Sequence, residues 1–294
     1  MYELSNRLFI PKNVLHFLVV GYFSFFSSCN IINPDEKIPA YIHIDKIDLT
    51  TTYATQGSSS NKITDAWLFV DDKTIGVFEL PATVPVLVTN GDHKINIQPG
   101  VKMNGISATR LGYAFYQIYT TTADLKIGEK VTVNPVTSYH PTLSFDWKED
   151  FEGFGISLIK GTASTDTVAK KTTNPADVFE GSGCAIIVLD GAKTYYEGVS
   201  SASFSIPQGS TTFLELNYRS NNSFIVGLYA GASTTPNPAI SIKASESWNK
   251  IYINLSALVN TLNATSYTVF IAMPKEDGVS TAQLFLDNIK LIHS

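Results

Sequence analysis

The chain has 294 residues, 44% of them hydrophobic and 16% charged, with a formal net charge of −5. Its lysines and arginines are scattered, which excludes nucleic acid and anionic headgroup clusters as recognised partners, because both are bound through concentrated positive charge. Abundant Thr, Ser, Tyr and Ile, with little helical periodicity, predict an all-β protein.

Arg7 and Lys12 precede an apolar run from Val14 to Phe26, the order of a secretory signal peptide. At about 13 residues the run falls short of the about 20 that span a bilayer, so residues 1–28 read as a processed segment. Phe26-Ser27-Ser28-Cys29 resembles the lipobox of bacterial lipoproteins. That resemblance implies that Cys29 carries a lipid anchor and that 29–37 is a lipidated tether; the alternative is an ordinary signal peptide with a coincidental cysteine. Several acyl chains on one residue anchor stably where a single chain is marginal. Asn30 stands where an aspartate would resemble the inner-membrane retention signal of enterobacteria, and the acidic Asp35-Glu36 resembles the surface-export signals of Bacteroidota lipoproteins, which implies the outer membrane and its cell-surface face. With Cys29 lipidated, Cys184 has no disulfide partner, and its place in the run Cys184–Leu189 reads as a small buried side chain.

Strands are expected at 41–45, 66–70 and 74–80, the last two joined by the acidic turn Asp71-Asp72-Lys73. Asn90-Gly91 before the alternating run His93–Ile97 gives a second hairpin signal, and further strands fit 114–120 and 129–133. This spacing points to an immunoglobulin-like β-sandwich over 38–137. The stretch 134–141, with Pro135 and Pro141, reads as a linker. Eight strands then follow, at 143–147, 184–189, 202–206, 213–218, 224–229, 248–255, 267–273 and 283–292. They suit a jelly-roll β-sandwich over 142–294, with a helical turn after Leu255 capped by Ser256.

Four segments of this second unit carry a resemblance: Glu149-Asp150-Phe151-Glu152-Gly153, Glu180-Gly181-Ser182-Gly183, 248–256 and 284–291. In order and spacing they resemble the galactose-binding-like jelly-rolls of carbohydrate-binding modules. The resemblance implies a glycan as ligand and a structural calcium held by Glu152, Asp287 and Asp150. The plainer alternative is a polar turn at Asp287-Asn288 and a solvated loop at Glu152. Calcium takes six to eight oxygens, so such a set needs backbone carbonyls as well. The segments 65–80, 81–85 and 99–106 of the first unit resemble Bacteroidota lipoproteins, which bears on address rather than activity.

A sugar site joins aromatic faces to polar groups, and the residues expected to supply it are Tyr195, Tyr196, Asn217, Arg219 and Tyr229. Alternation along 213–219 places Phe213, Glu215, Asn217 and Arg219 outward, with Leu214, Leu216 and Tyr218 in the core. Trp147 and Trp248 read as packing residues. The aromatic stretch 110–119 either fills a core or presents Tyr113, Tyr116 and Arg110 to another protein. Catalytic signatures such as Gly-x-Ser-x-Gly or His-Glu-x-x-His are missing from the sequence, and His43, His93, His140 and His293 lack ligand spacing. The expectation is a non-catalytic outer-membrane lipoprotein that binds a glycan. The alternative is an accessory subunit that binds outer-membrane proteins, favoured by exposure of Tyr113 and Tyr116 and weakened by their burial.

Overall fold

The computed structural model of the protein describes residues 36–294 apart from residue 163; the signal segment, the lipobox and Cys29 lie outside the described residues. The first half runs through β1 (Ala40–Ile44), β2 (Asp48–Thr50), α1 (Tyr53–Gln56), β3 (Asp65–Val70), β4 (Lys73–Glu79), β5 (Ala82–Val86), β6 (Gly91–Lys102), β7 (Arg110–Gly112), β8 (Tyr119–Leu125), β9 (Lys130–Val133) and β10 (Val136–Ser138). One sheet has the order β4-β3-β6-β7 with β8 also on β6, and the other the order β5-β1-β9. Ile42, Val84, Leu68, Ile95 and Ile97 meet between the two sheets in one core, giving an immunoglobulin-like sandwich. Each fully buried aliphatic side chain of this kind contributes about 1.5–3 kcal/mol.

Local chemistry explains the turns. Asp71 and Asp72 both take positive φ, as a two-residue hairpin between β3 and β4 demands. Asn90-Gly91 does not close a hairpin: β5 and β6 belong to different sheets, so these residues carry the chain across the sandwich. There the Asn90 side chain accepts from the Ile127 N–H at 2.7 Å. The expected strand 114–120 is also corrected, since only its end enters β8, and Tyr113, Phe115 and Tyr116 turn inward instead.

The second half comprises β11 (Ser144–Glu149), β12 (Leu158–Lys160), β13 (Lys170–Thr172), β14 (Cys184–Leu189), β15 (Tyr195–Ser200), β16 (Thr212–Ser220), β17 (Phe224–Ala230), β18 (Asn237–Ile242), β19 (Ser245–Asn254), α2 (Ser256–Leu262), β20 (Tyr267–Pro274) and β21 (Ala282–His293). A six-stranded antiparallel sheet orders β13-β14-β21-β16-β19 with β11 on β21, and a five-stranded one orders β12-β15-β20-β17-β18. Leu214, Leu216, Val226, Ile271 and Leu286 fill the jelly-roll core between them. Within 202–206 only Phe204 bridges, to Tyr267. Ser256 opens α2 rather than capping it, its hydroxyl accepting from the Thr212 N–H at 2.9 Å.

The two sandwiches share a third core. Tyr113, Phe115, Tyr116 and Tyr139 from the first half pack on Phe213, Tyr252 and Ile292 from the outer face of the six-stranded sheet. The Tyr113 ring sits 5.1 Å from Phe213 and 5.0 Å from Tyr252. Tyr113 and Tyr116 are therefore buried between the sandwiches, and the 110–119 stretch no longer motivates a surface for another protein. The expected linker 134–141 is likewise structured, contributing β10 and the buried Tyr139.

Glu215 sits at the centre of this junction with no exposed surface. Its carboxylate accepts from the hydroxyls of Tyr113 and Tyr139, each at 2.9 Å. Lys250 Nζ lies 3.2 Å from the same carboxylate, close enough to pair in charge but off hydrogen-bond geometry. Lys290 Nζ donates to the Ser58 carbonyl at 2.5 Å and to the Tyr139 hydroxyl at 3.5 Å. Backbone joins across as well, with the Asn104 N–H donating to the Tyr252 carbonyl at 2.8 Å and the Asn254 N–H to the Asn104 side chain at 2.9 Å.

Candidate functional site

The outward row of β16 is divided between two environments. Phe213, Glu215 and Asn217 lie under the first sandwich, where Asn217 accepts from the Ser60 hydroxyl at 3.0 Å. Alternation assigns the correct face to Asn217, but the neighbouring sandwich closes it, so this residue cannot meet a ligand. Arg219, two residues on, lies beyond that cover.

Around Arg219 the sheet opens into a cavity of about 340 Å³ lined by Asp177, Arg219, Asn221, Glu246, Gln283 and Phe285. The guanidinium donates to the Asp177 carboxylate at 2.6 Å and to the Ala176 carbonyl at 3.2 Å. It stacks 4.2 Å from the Phe285 ring centroid and 5.8 Å from that of Trp248. Such stacking holds a planar cation in place while leaving its remaining N–H groups for other partners. Trp248 packs on Phe179 at 5.3 Å and on Phe285 at 6.5 Å, but its ring keeps partial exposure. Its indole N–H is buried without an acceptor. An unpaired buried donor costs about 1–3 kcal/mol. The cavity thus joins an aromatic face, a stacked guanidinium, two carboxylates and the Gln283 amide, with the partly exposed Trp248 ring packed beside Arg219; the Asn221 amide is bonded to the Thr281 carbonyl and the Gln283 N–H. Trp248 is the residue that sequence reasoning assigned to packing; the signal was its place two residues before the outward Lys250 on β19.

The expected tyrosines do not join Arg219. Tyr196 is wholly buried in the jelly-roll core. Tyr195 and Tyr229 lie on the outer face of the other sheet, where both hydroxyls donate to the buried Glu197 carboxylate, at 2.8 and 2.9 Å. Burial, then the bond to Glu197, pushes the Tyr229 hydroxyl up to about 12. Phe270 and Ala272 complete that apolar face. The predicted set therefore divides among a core, a domain junction and two opposite sheet faces.

The residues implied as calcium ligands do not fit a calcium ion. Glu152 turns its oxygens to the Ser182 N–H at 2.9 Å, the Ser182 hydroxyl at 2.6 Å and the Gly183 N–H at 3.2 Å, pinning the loop before β14. Asp150 accepts from the Tyr53 hydroxyl at 2.7 Å and from the Glu152 N–H at 3.1 Å. Asp287 is buried beneath them and accepts from the Asn288 N–H at 2.8 Å. Among the described residues no three His, Cys, Asp or Glu side chains gather as metal ligands. Oxygens already aimed at N–H and O–H donors do not make the six-to-eight-oxygen shell that calcium takes. Millimolar calcium is expected to leave the thermal midpoint where EDTA leaves it, and a calcium-dependent rise in a melting curve would overturn this assignment.

The histidines stand apart: His43 pairs with Thr83, His93 with Asp71 and His293 with Asp146. The Cys184 thiol is buried and pushed up to about 12, chiefly by desolvation, which makes it unreactive. Among the described residues no helix is long and apolar enough to cross a membrane.

No family model matches the chain, and no curated protein does. Among solved structures it is similar to TmCBM61 in complex with beta-1,4-galactotriose, with 11% identity over 42% of this chain and 80% of that one and a TM-score of 0.30. A variant of CBM29-2, a family 29 carbohydrate-binding module, shares 9% identity over 52% and 91% of the two chains, with a TM-score of 0.34. A cleaved adhesin domain of Lys-gingipain from Porphyromonas gingivalis w83 shares 19% over 51% and 98%, with a TM-score of 0.36. These are distant likenesses.

Proposed function

We propose that the protein is a non-catalytic, lipid-anchored outer-membrane protein that binds a glycan through its second sandwich, at the Arg219–Trp248 cavity. One observation carries the ligand class: a cavity lined by the stacked Arg219, the Phe285 ring, two carboxylates and the Gln283 amide, next to which the partly exposed Trp248 ring packs on Arg219 and Phe285. A sugar ring has an apolar face and a rim of hydroxyls, each both donor and acceptor. The Trp248 ring suits the first, and the Glu246 carboxylate, the Gln283 amide and the remaining Arg219 N–H groups suit the second. The lipobox resemblance at Cys29 supports the anchor, and the acidic residues after it support the surface address.

A glycan screen with immobilised full-length protein tests the ligand class. Trp248→Ala is expected to weaken the binding found there at least about tenfold, the equivalent of about 1.4 kcal/mol, with the fold intact by circular dichroism. Arg219→Ala is expected to weaken it by a similar factor, because the guanidinium positions both the ring stack and Asp177. A screen in which no polysaccharide is retained, or in which both variants bind as the parent does, would sink the proposal.

A further inference from the structure

At the end of the first sandwich where the chain enters, three large aliphatic side chains stand in solvent: Ile38 is 64% exposed, Leu87 66% and Ile127 45%. They come from three separate segments, the lead into β1, the β5–β6 crossover and the β8–β9 turn, and they rim one groove of about 680 Å³. Val70 and Val86 form part of its wall, so the groove opens directly onto the core. Scattered exposed aliphatics are ordinary on a protein surface, but three converging on one groove, whose lining also carries Glu36, Lys37, Asp71 and Lys73, form an amphipathic patch of the kind that marks an interaction site.

Two facts of chain geometry indicate what covers it. Glu36, Lys37 and Ile38 line the groove themselves, so the chain outside the described residues joins the molecule at this patch. The few residues from Cys29 to Asp35 reach at most roughly 25 Å when extended. Strand β6 starts at Gly91 beside the groove and ends at Lys102 beside the junction with the second sandwich. At about 3.3 Å per residue its 12 residues separate the two ends by roughly 35–40 Å. The groove is thus the pole of the first sandwich remote from the glycan cavity. We infer that this pole rests on the lipid bilayer, with Ile38, Leu87 and Ile127 seated at the boundary of headgroups and acyl chains; this rests on the lipid anchor proposed at Cys29. Interfacial binding of this sort adds buried apolar area to whatever an anchor supplies.

The test places a nitroxide on Leu87→Cys, on Ile127→Cys and, as the control, on Asp277→Cys in the exposed β20–β21 turn. The full-length protein is processed in cells and reconstituted in vesicles of phosphatidylethanolamine and phosphatidylglycerol. Cys184, buried and with its thiol held protonated, stays unlabelled; where mass analysis finds Cys29 unacylated, the three labels are read in the Cys29→Ser background. Relaxation by oxygen, which partitions into lipid, is compared with relaxation by a water-soluble nickel chelate. The Leu87 and Ile127 labels are expected to favour oxygen several-fold over the Asp277 label. Intact-mass analysis of the same sample reads acylation of Cys29 separately. An acylated protein whose three labels are equally open to the chelate overturns the inference and leaves the anchor standing. Lipid-seated labels on an unacylated protein support the inference and overturn the anchor, and water-exposed labels on an unacylated protein overturn both.

Discussion

Glu215→Ala is expected to destabilise the protein by about 3–5 kcal/mol, the scale measured when one partner of a buried ion pair is removed. That is a large share of the about 5–15 kcal/mol by which natural domains are stable. The reason is local: the change strips the acceptor from the Tyr113 and Tyr139 hydroxyls and leaves the Lys250 ammonium buried without its counter-charge. Burial already holds both tyrosine hydroxyls well above their ordinary range, so neither can supply a compensating negative charge. Chemical denaturation measures the loss. Because Glu215 sits on the second sandwich and both tyrosines on the first, the same variant should also separate one unfolding transition into two. Combining Glu215→Leu with Lys250→Met should cost less than Glu215→Ala alone, since replacing both charges by apolar groups leaves no charge unpaired and only the two tyrosine hydroxyls without their acceptor. A loss below about 1 kcal/mol for Glu215→Ala would show that the junction is held by its aromatic rings alone.

Stability is expected to fall as pH rises from about 4 to about 7, through Asp287. Burial raises its carboxyl to about 7, with the neighbouring Glu180 and Glu152 charges adding to the effect. An unfolded aspartate gives up its proton near pH 3.9. Between those values the folded chain holds a proton that the unfolded chain has lost, so rising pH favours unfolding. Across the whole window the change is roughly 4 kcal/mol. Asp287→Asn should flatten this part of the curve and raise the melting temperature at pH 8. Lys290 has the opposite sign in the adjoining window. Burial, then the Lys250 charge, lowers it to about 7 from an ordinary value near 10.5. Above pH 7 the unfolded chain binds the extra proton, so stability recovers as pH climbs towards 10. The two groups together place a minimum near neutrality. Melting curves at closely spaced pH values check this, and a wild-type profile that rises steadily from pH 4 to pH 8 would contradict it.

Long strands such as β3, β4, β14, β16, β17 and β20 were legible, whereas β5, β15 and β18 drew no expectation and β8 was placed too early. Leu214, Leu216 and Tyr218 point into the core as their spacing requires, and the paired acidic residues at 71 and 72 make the turn their chemistry suits. The three-residue strands β2, β7, β10, β12 and β13 were not legible, because three residues do not display a period. The candidate site was legible only in Arg219. Alternation reports on which side of a sheet a residue lies and is silent about what comes to cover that side. Glu215 and Asn217 were read as outward, and they are outward, but another sandwich is packed on them. Tyr195 and Tyr229 were read as ligand platforms, whereas their hydroxyls are committed to Glu197, a long-range pairing that no local pattern announces.

The junction around Glu215 has a mechanical consequence. In the proposed arrangement, a polymer held at Arg219 would pull on β16, a strand bonded on both sides by β19 and β21. The load passes down β16 to the residues that grip the first sandwich, then along β6 towards the tethered pole. No slack linker interrupts that line, so tension on the polymer is shared by many contacts loaded side by side rather than peeled one at a time. If both proposals hold, the two sandwiches act as one stiff strut between a polymer and a surface, suited to withstand drag.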